Sequence, residues 1–164
     1  MIHKIIRVAM ICSLVIASTV MLSAQDDFDQ IYVNETQTFE VLYNDDWEIA
    51  EEDEIGVSLI HTDLFAFVTF IDPSLFGLDL DGAEDALDAA NIYSEFLDNT
   101  LPAKLIAEAD RETAIGTIDD EEGYNLYIVI QFDDGIYGLV LIAGSDEGID
   151  AAEALVSTYN NVGG

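Results

Sequence analysis

Carboxylates are the only abundant reactive side chains in this sequence. It holds 34 Asp or Glu against four Lys or Arg, with two His and one Cys. One chemistry that uses carboxylates is acid–base hydrolysis. It needs two carboxyl groups about 5–10 Å apart, one of them in an apolar setting that raises its pKa. Glu40, between Phe39 and Val41, and Asp72, directly after Ile71, have the most apolar neighbours in the chain. Two-residue alternation turns Glu40 away from Phe39, Val41 and Tyr43, toward solvent. With so many acids some pair always looks suggestive, so a carboxylate hydrolase is the least favoured reading. Nucleophilic catalysis has less to work with. There is no Gly-x-Ser-x-Gly, and His61 is the one histidine beyond His3. A lone histidine cannot make a two-histidine zinc site, and on a face shared with Val57 and Leu59 it reads as structural or solvated, near a sheet end or edge. The stretch from Gly135 to Gly144 has no phosphate-loop lysine and no helix at the required point.

The second carboxylate chemistry is cation binding, since calcium takes several hard oxygen ligands. Asp79-Leu80-Asp81-Gly82-Ala83-Glu84 comes nearest to a loop motif, and Asp79, Asp81 and Glu84 are its candidate ligands. Aligning Gly82 with the invariant glycine of an EF-hand puts Gly77 where the first aspartate belongs and Asp88 at the twelfth position. The favoured alternative is a loop running into a helix whose acidic first turn complements the helix dipole. Asp119 to Glu122 and Asp133-Asp134 are further acidic turns that could attract cations. Asn34-Glu35-Thr36 matches the glycosylation sequon, and Trp47 reads as a core-edge anchor rather than a ligand platform.

The elements that position these residues follow from periodicity. Ile31–Val33 and Phe39–Tyr43 read as strands, then Asn44-Asp45-Asp46 as a turn and Glu51 to Glu54 as a loop. Ile55–Thr62 and Phe65–Ile71 are the next strands, the latter apolar on both faces except at Thr69 and ended by Asp72-Pro73. In Tyr124–Phe132, Tyr124, Leu126, Ile128, Ile130 and Phe132 line one face, with Tyr127 and Val129 on the other. Asp133-Asp134-Gly135 turns the chain into Ile136–Ala143. Strands apolar on both faces need cover on both. Two helices can supply it. Ala83–Leu97 carries Ala86, Ala89, Ala90, Tyr93, Phe96 and Leu97 on one side. Glu147–Tyr159 carries Ile149, Ala152, Val156 and Tyr159, with Ser145 or Asp146 as N-cap. Lys104–Glu108 and Glu112–Ile118 complete the strands. The expected fold is α/β (α+β): a mainly antiparallel sheet of about seven to eight strands flanked by two helices as an α/β/α sandwich.

The N-terminus reads as a secretory signal over residues 1–24. Lys4 and Arg7 precede the apolar run Val8–Leu22, and Ala24 offers a small residue for cleavage, while Leu22 at the −3 position fits cleavage poorly and leaves an uncleaved anchor as the alternative. Cys12, the one cysteine, would leave with it, so no disulfide or cysteine metal site is expected. An acidic, flexible lead over 25–30 and one domain over 31–162 follow. The net charge is −30, which excludes a nucleic-acid binder and attraction to an anionic membrane surface. Yet 51% of residues are hydrophobic, with eight Phe and seven Tyr, enough for a packed core.

Phe39-Glu40-Val41-Leu42-Tyr43-Asn44-Asp45-Asp46-Trp47 resembles the F-x-V-x-Y-P-x-G-W signature that opens many PsbP-like domains and the related DcrB-like envelope proteins. Asn44 stands where Pro is usual and Asp46 where Gly is usual; both keep turn character. The resemblance in element order spans Ile31 to Val162. It implies an antiparallel sheet flanked by helices and a non-catalytic accessory or binding module of the envelope or thylakoid lumen, with no catalytic residues. The expectation is therefore an exported, secreted or periplasmic module without a cofactor, monomeric, with an envelope or extracellular protein as partner. A calcium- or cation-responsive domain is the alternative.

Overall fold

The doubly apolar segments form the middle of a seven-stranded sheet. The computed structural model describes residues 28–75, 77–96, 103–107, 111–118, 126–133 and 135–162. Strands β1 (Gln30–Val33), β2 (Phe39–Tyr43), β3 (Trp47–Glu52), β4 (Gly56–His61) and β5 (Ala66–Ile71) precede helix α1 (Ala86–Phe96). Then come β6 (Lys104–Ala107), β7 (Thr113–Thr117), β8 (Leu126–Asp133), β9 (Ile136–Gly144), α2 (Asp146–Ser157) and the short β10 (Asn160–Asn161). The large sheet runs β3-β4-β5-β9-β8-β7-β6, every neighbouring pair antiparallel. A second, three-stranded sheet runs β1-β2-β10.

Alternation divides the large sheet's side chains between two cores. Leu126, Ile128 and Ile130 of β8 join Val68, Phe70, Val140 and Leu155 on one side. Tyr127 and Val129 join Leu139, Ala86, Ala89 and Ala90 on the other. Helix α1 packs on β6, β7 and β8; α2 packs on β5, β9 and β2. The three-stranded sheet completes the α2 side through Tyr32, Phe39 and Val41. This is the expected sandwich, with a small sheet added to one outer layer.

Four details differ from the sequence reading. Trp47–Glu52 is a strand, where Glu51 and Glu52 were expected in a loop. Only Trp47 is buried, so this edge strand shows no alternation, and its register slips between Ile49 and Glu51. β1 and β2 form a separate sheet with β10, because Asn160 and Asn161 pair with Glu40 and Phe39. Phe28 packs against the core and Gln30 pairs with Tyr43, so the packed chain starts ahead of Ile31. In α1 the stripe Ala86, Ala89, Ala90 and Tyr93 is buried, but Phe96 is 57% exposed. Leu97 lies outside the described residues, as do residues 1–27, Tyr124 and the acidic turn 119–122.

Both helix starts are capped. Ser145 accepts from the Gly148 amide at 3.2 Å, and Asp85 Oδ1 accepts from the Asp88 amide at 2.8 Å. No helix among the described residues is long and apolar enough to cross a membrane.

Candidate functional site

The start of β2, the end of β5, the β8–β9 hairpin and the chain after α2 meet at one end of the sandwich. Each is fixed by local chemistry. Pro73 ends β5, lacking an amide to continue the ladder. Asp72 Oδ1 closes the turn by accepting from Ser74 N at 2.9 Å and Ser74 Oγ at 2.6 Å. Its other oxygen accepts from the Thr38 hydroxyl at 2.8 Å, tying β5 to β2. Thr38 is held in turn by Asn34, whose Oδ1 accepts from the amides of Thr38 (2.8 Å) and Phe39 (3.0 Å). Across the gap, Gly135 has φ +79°, the left-handed backbone that lets β8 turn into β9.

Tyr159 is the keystone beneath these segments. It is 1% exposed, and its hydroxyl donates to the Ile71 carbonyl at 2.7 Å. Its ring meets Phe39 and Phe132 edge-on, both at 5.2 Å, and Phe70 at 5.0 Å. Burial pushes the phenol well above its usual pKa, and the nearby Asp72 charge adds to the rise. Arg111 braces this cluster from the end of α2. Its guanidinium donates to the carbonyls of Tyr159 and Ser157, the latter at 3.0 Å, and lies 5.8 Å from the Phe132 ring centroid. These carbonyls are at or just past the C-terminus of α2, where a cation complements the dipole. Partial burial lowers the Arg111 pKa.

Between these walls is a cleft of about 250 Å³. Its polar lining is Thr38, Asp72, Ser74, Asp81 and Asn161; its aromatic lining is Phe39, Phe132, Tyr137 and Tyr159. Leu78, Leu80 and Ile136 add aliphatic surface. Among the described residues no Lys, Arg or His lines it.

The expected site residues are distributed as follows. Asp72 lies in the cleft. Glu40 does not: it sits on the outer face of the small sheet, where Asn160 Nδ2 donates to it at 3.4 Å. The two acids in the most apolar sequence contexts are thus on different surfaces. His61 ends β4, with Nδ1 accepting from the amides of Asp63 and Leu64, both at 3.1 Å, and its ring edge-on to Trp47 at 5.0 Å. It shapes a turn and covers a buried Trp47, which is 4% exposed. Asp79 accepts from the Asp81 amide at 3.1 Å, and the Glu84 amide donates to Asp88 at 3.4 Å. Asp79, Asp81 and Glu84 are exposed, and among the described residues no three His, Cys, Asp or Glu converge as a metal group would require.

The sequon asparagine has no free amide. Asn34 is 1% exposed, and its Nδ2 donates to Thr36 Oγ1 at 2.6 Å and Thr38 Oγ1 at 2.9 Å. The tyrosines are largely internal: Tyr32, Tyr93, Tyr127, Tyr137 and Tyr159 are buried. Sequence reasoning missed Thr38, Ser74 and Arg111. Thr38 and Ser74 are hydroxyls beside a turn, common everywhere, but Arg111 was one of only four cations and its scarcity was a usable signal.

Fold and cleft together define an α+β sandwich with an acidic, aromatic-lined pocket at one end. No family model matches the chain, and no curated protein matches it. Among solved structures, a protein from Bacteroides thetaiotaomicron is similar at 15% identity and TM-score 0.51, over 80% of this chain. This chain spans 48% of that protein's length. The Ran-binding protein Mog1p of Saccharomyces cerevisiae matches over 83% of this chain and 97% of its own, at 8% identity and TM-score 0.47. The likeness to the Bacteroides protein conveys a shared fold.

Proposed function

We propose that this protein is an exported, non-catalytic binding module of the PsbP-like and DcrB-like kind, with the cleft as its ligand site and an envelope or extracellular protein as its partner. The observation that carries this reading is how the cleft's polar groups are used. Asp72 is the expected carboxyl in an apolar context, yet it accepts three structural hydrogen bonds, from Thr38 and twice from Ser74. A carboxylate committed to tying β5 to β2 and closing its own turn serves the fold rather than proton transfer. The pocket's two carboxylates, Asp72 and Asp81, and the Ser74 hydroxyl have no histidine or lysine base among the described residues of the lining, and its shape and acceptors suit recognition better than turnover. Export rests on Lys4, Arg7 and the apolar run Val8–Leu22.

The test fills the cleft. Ser74 and Ile136 lie on its exposed rim, so Ser74→Trp and Ile136→Trp should block entry while leaving the fold intact by circular dichroism. An envelope protein retained by the unmodified chain and lost by both variants supports the reading. Equal retention by all three removes the cleft from the function. Turnover of a glycoside or ester panel that Asp72→Asn abolishes would replace the module with a hydrolase.

A further inference from the structure

We infer that the cleft takes a primary ammonium or guanidinium group carried on an aliphatic stem. This rests on the binding-module reading and specifies what the module binds.

Three observations converge. The charged groups of the lining are Asp72 and Asp81, without a basic residue among them, in a chain of net charge −30. Anionic ligands such as phosphates, carboxylates and acidic peptides meet repulsion there and find no charged donor. Asp72 also keeps capacity to accept. A carboxylate offers about four lone-pair sites, and three are used, leaving one on the oxygen that faces Thr38. Asp81 is exposed and adds a second carboxylate at the same opening.

The walls below those acids favour a cation with an apolar stem. Phe39, Tyr137 and Tyr159 are buried and form an apolar floor, while the more open Phe132, Leu80 and Ile136 suit methylenes. The arrangement matches the two-part character of a lysine or arginine side chain, and about 250 Å³ accommodates one. Calcium is a poorer fit, because among the described residues no third carboxylate joins the pair.

The shared chemistry has two sources: a free diamine or guanidino-amine, or a basic side chain on a protein. Isothermal titration at fixed ionic strength separates them, using cadaverine and agmatine in one arm and a short lysine- and arginine-containing peptide in the other. Norleucine amide acetylated at its α-nitrogen is the uncharged control. Saturable one-to-one binding is expected in at least one arm, and the tighter arm names the source. Asp81→Asn, on an exposed residue, and Asp72→Asn, which keeps an acceptor for the Ser74 amide while its Nδ2 can donate to Thr38 Oγ1, should each weaken binding by about tenfold, roughly 1.4 kcal/mol. Glu95→Gln, on the exposed side of α1, should leave it unchanged. Amide shifts should cluster at Ile136 and Tyr137. Absence of saturation in both arms overturns the inference, as does equal weakening by Glu95→Gln, which would mark diffuse charge attraction. Binding of the norleucine amide as tightly as the amines also overturns it, while leaving the binding-module reading in place. Loss of that broader reading has its own signature, partner capture that survives a blocked cleft.

Discussion

Tyr159 joins the small sheet, the large sheet and the end of α2 through one side chain, and its surroundings leave little tolerance. A Cβ on Gly138 would fall on its ring and lie 2.7 Å from Phe132 Cε2. Both rings are packed against other aromatics and cannot simply swing away. Gly138→Ala should therefore cost about 1–3 kcal/mol, as overpacked cores do, measured by urea unfolding. A variant as stable as the parent would mean that the cluster can relax. The phenols make a second prediction. Tyr32, Tyr127 and Tyr159 all have a pKa raised chiefly by burial, Tyr32 with added repulsion from Glu52. Their folded-state pKa exceeds the unfolded value of about 10, so the unfolded chain releases these protons first. The stability they contribute is intact below about pH 10 and is lost as pH rises above it. In tyrosinate absorbance these three should ionise only as near-ultraviolet dichroism collapses. All seven tyrosines ionising with the fold intact would contradict this.

At the scale of elements, two neighbouring residues serve both helices. Arg111 and Glu112 precede β7, whose alternation sends Ile115 toward the α2 core and Ala114 toward the α1 core. Arg111 accordingly reaches the C-terminal end of α2, while Glu112 Oε2 accepts from the Ala86 amide at 3.5 Å, at the start of α1. Each helix end thus receives the charge its dipole favours from opposite faces of one sheet. The last turn of α2 has no basic residue of its own, which makes Arg111 its sole charged complement among the described residues. Arg111→Met, which keeps an apolar stem but no donor, should lose about 1.5–3 kcal/mol, the range for bonds to a charged group, and Arg111→Lys should recover part of it. Identical thermal midpoints for Arg111→Met and the parent would dismiss the cap. The same element level shows what the sequence could convey. Strands β5, β8 and β9 were legible because burial on both faces writes itself as apolar runs, and Ser145 was legible as a cap. Strand β3 was not, since an edge strand with one buried residue, Trp47, has no periodic signal. Nor was β10: two asparagines carry no strand signature, and they pair only because α2 delivers them beside β2. The cleft was hidden for the same reason. Asp72 could be singled out, but its union with Thr38, Asp81 and Asn161 depends on where four separate segments end.

At the scale of the whole molecule, the net charge of −30 acts on every element at once. The carboxylates mark turns, edge strand β3 and outer helix faces, leaving an apolar double core inside. Such a coat opposes self-association and strand pairing at the β3 edge, but it repels itself more strongly when compact than when unfolded. Glu153 is a local case: its side chain reaches solvent, but partial burial, reinforced by the Asp150 charge, raises its pKa, so the folded chain holds that proton more tightly than the unfolded one. For such a group stability falls as pH rises toward and through the folded value, and lowering the pH from neutral relieves the cost. Salt should relieve it by another route. The Debye length falls from about 30 Å at 0.01 M to about 3 Å at 1 M, shorter than the spacing of most surface charges. The thermal midpoint should therefore rise across that range at pH 7, and rise less at about pH 5, where part of the repulsion is already gone. Sodium, potassium and choline chlorides should act alike if screening is the cause. A rise specific to calcium at matched ionic strength would instead signal site binding, and return Asp79, Asp81 and Glu84 to consideration as ligands. A midpoint flat or falling with every salt would mean that the unfolded chain is repelled as strongly as the folded one, so that the coat costs the native state nothing.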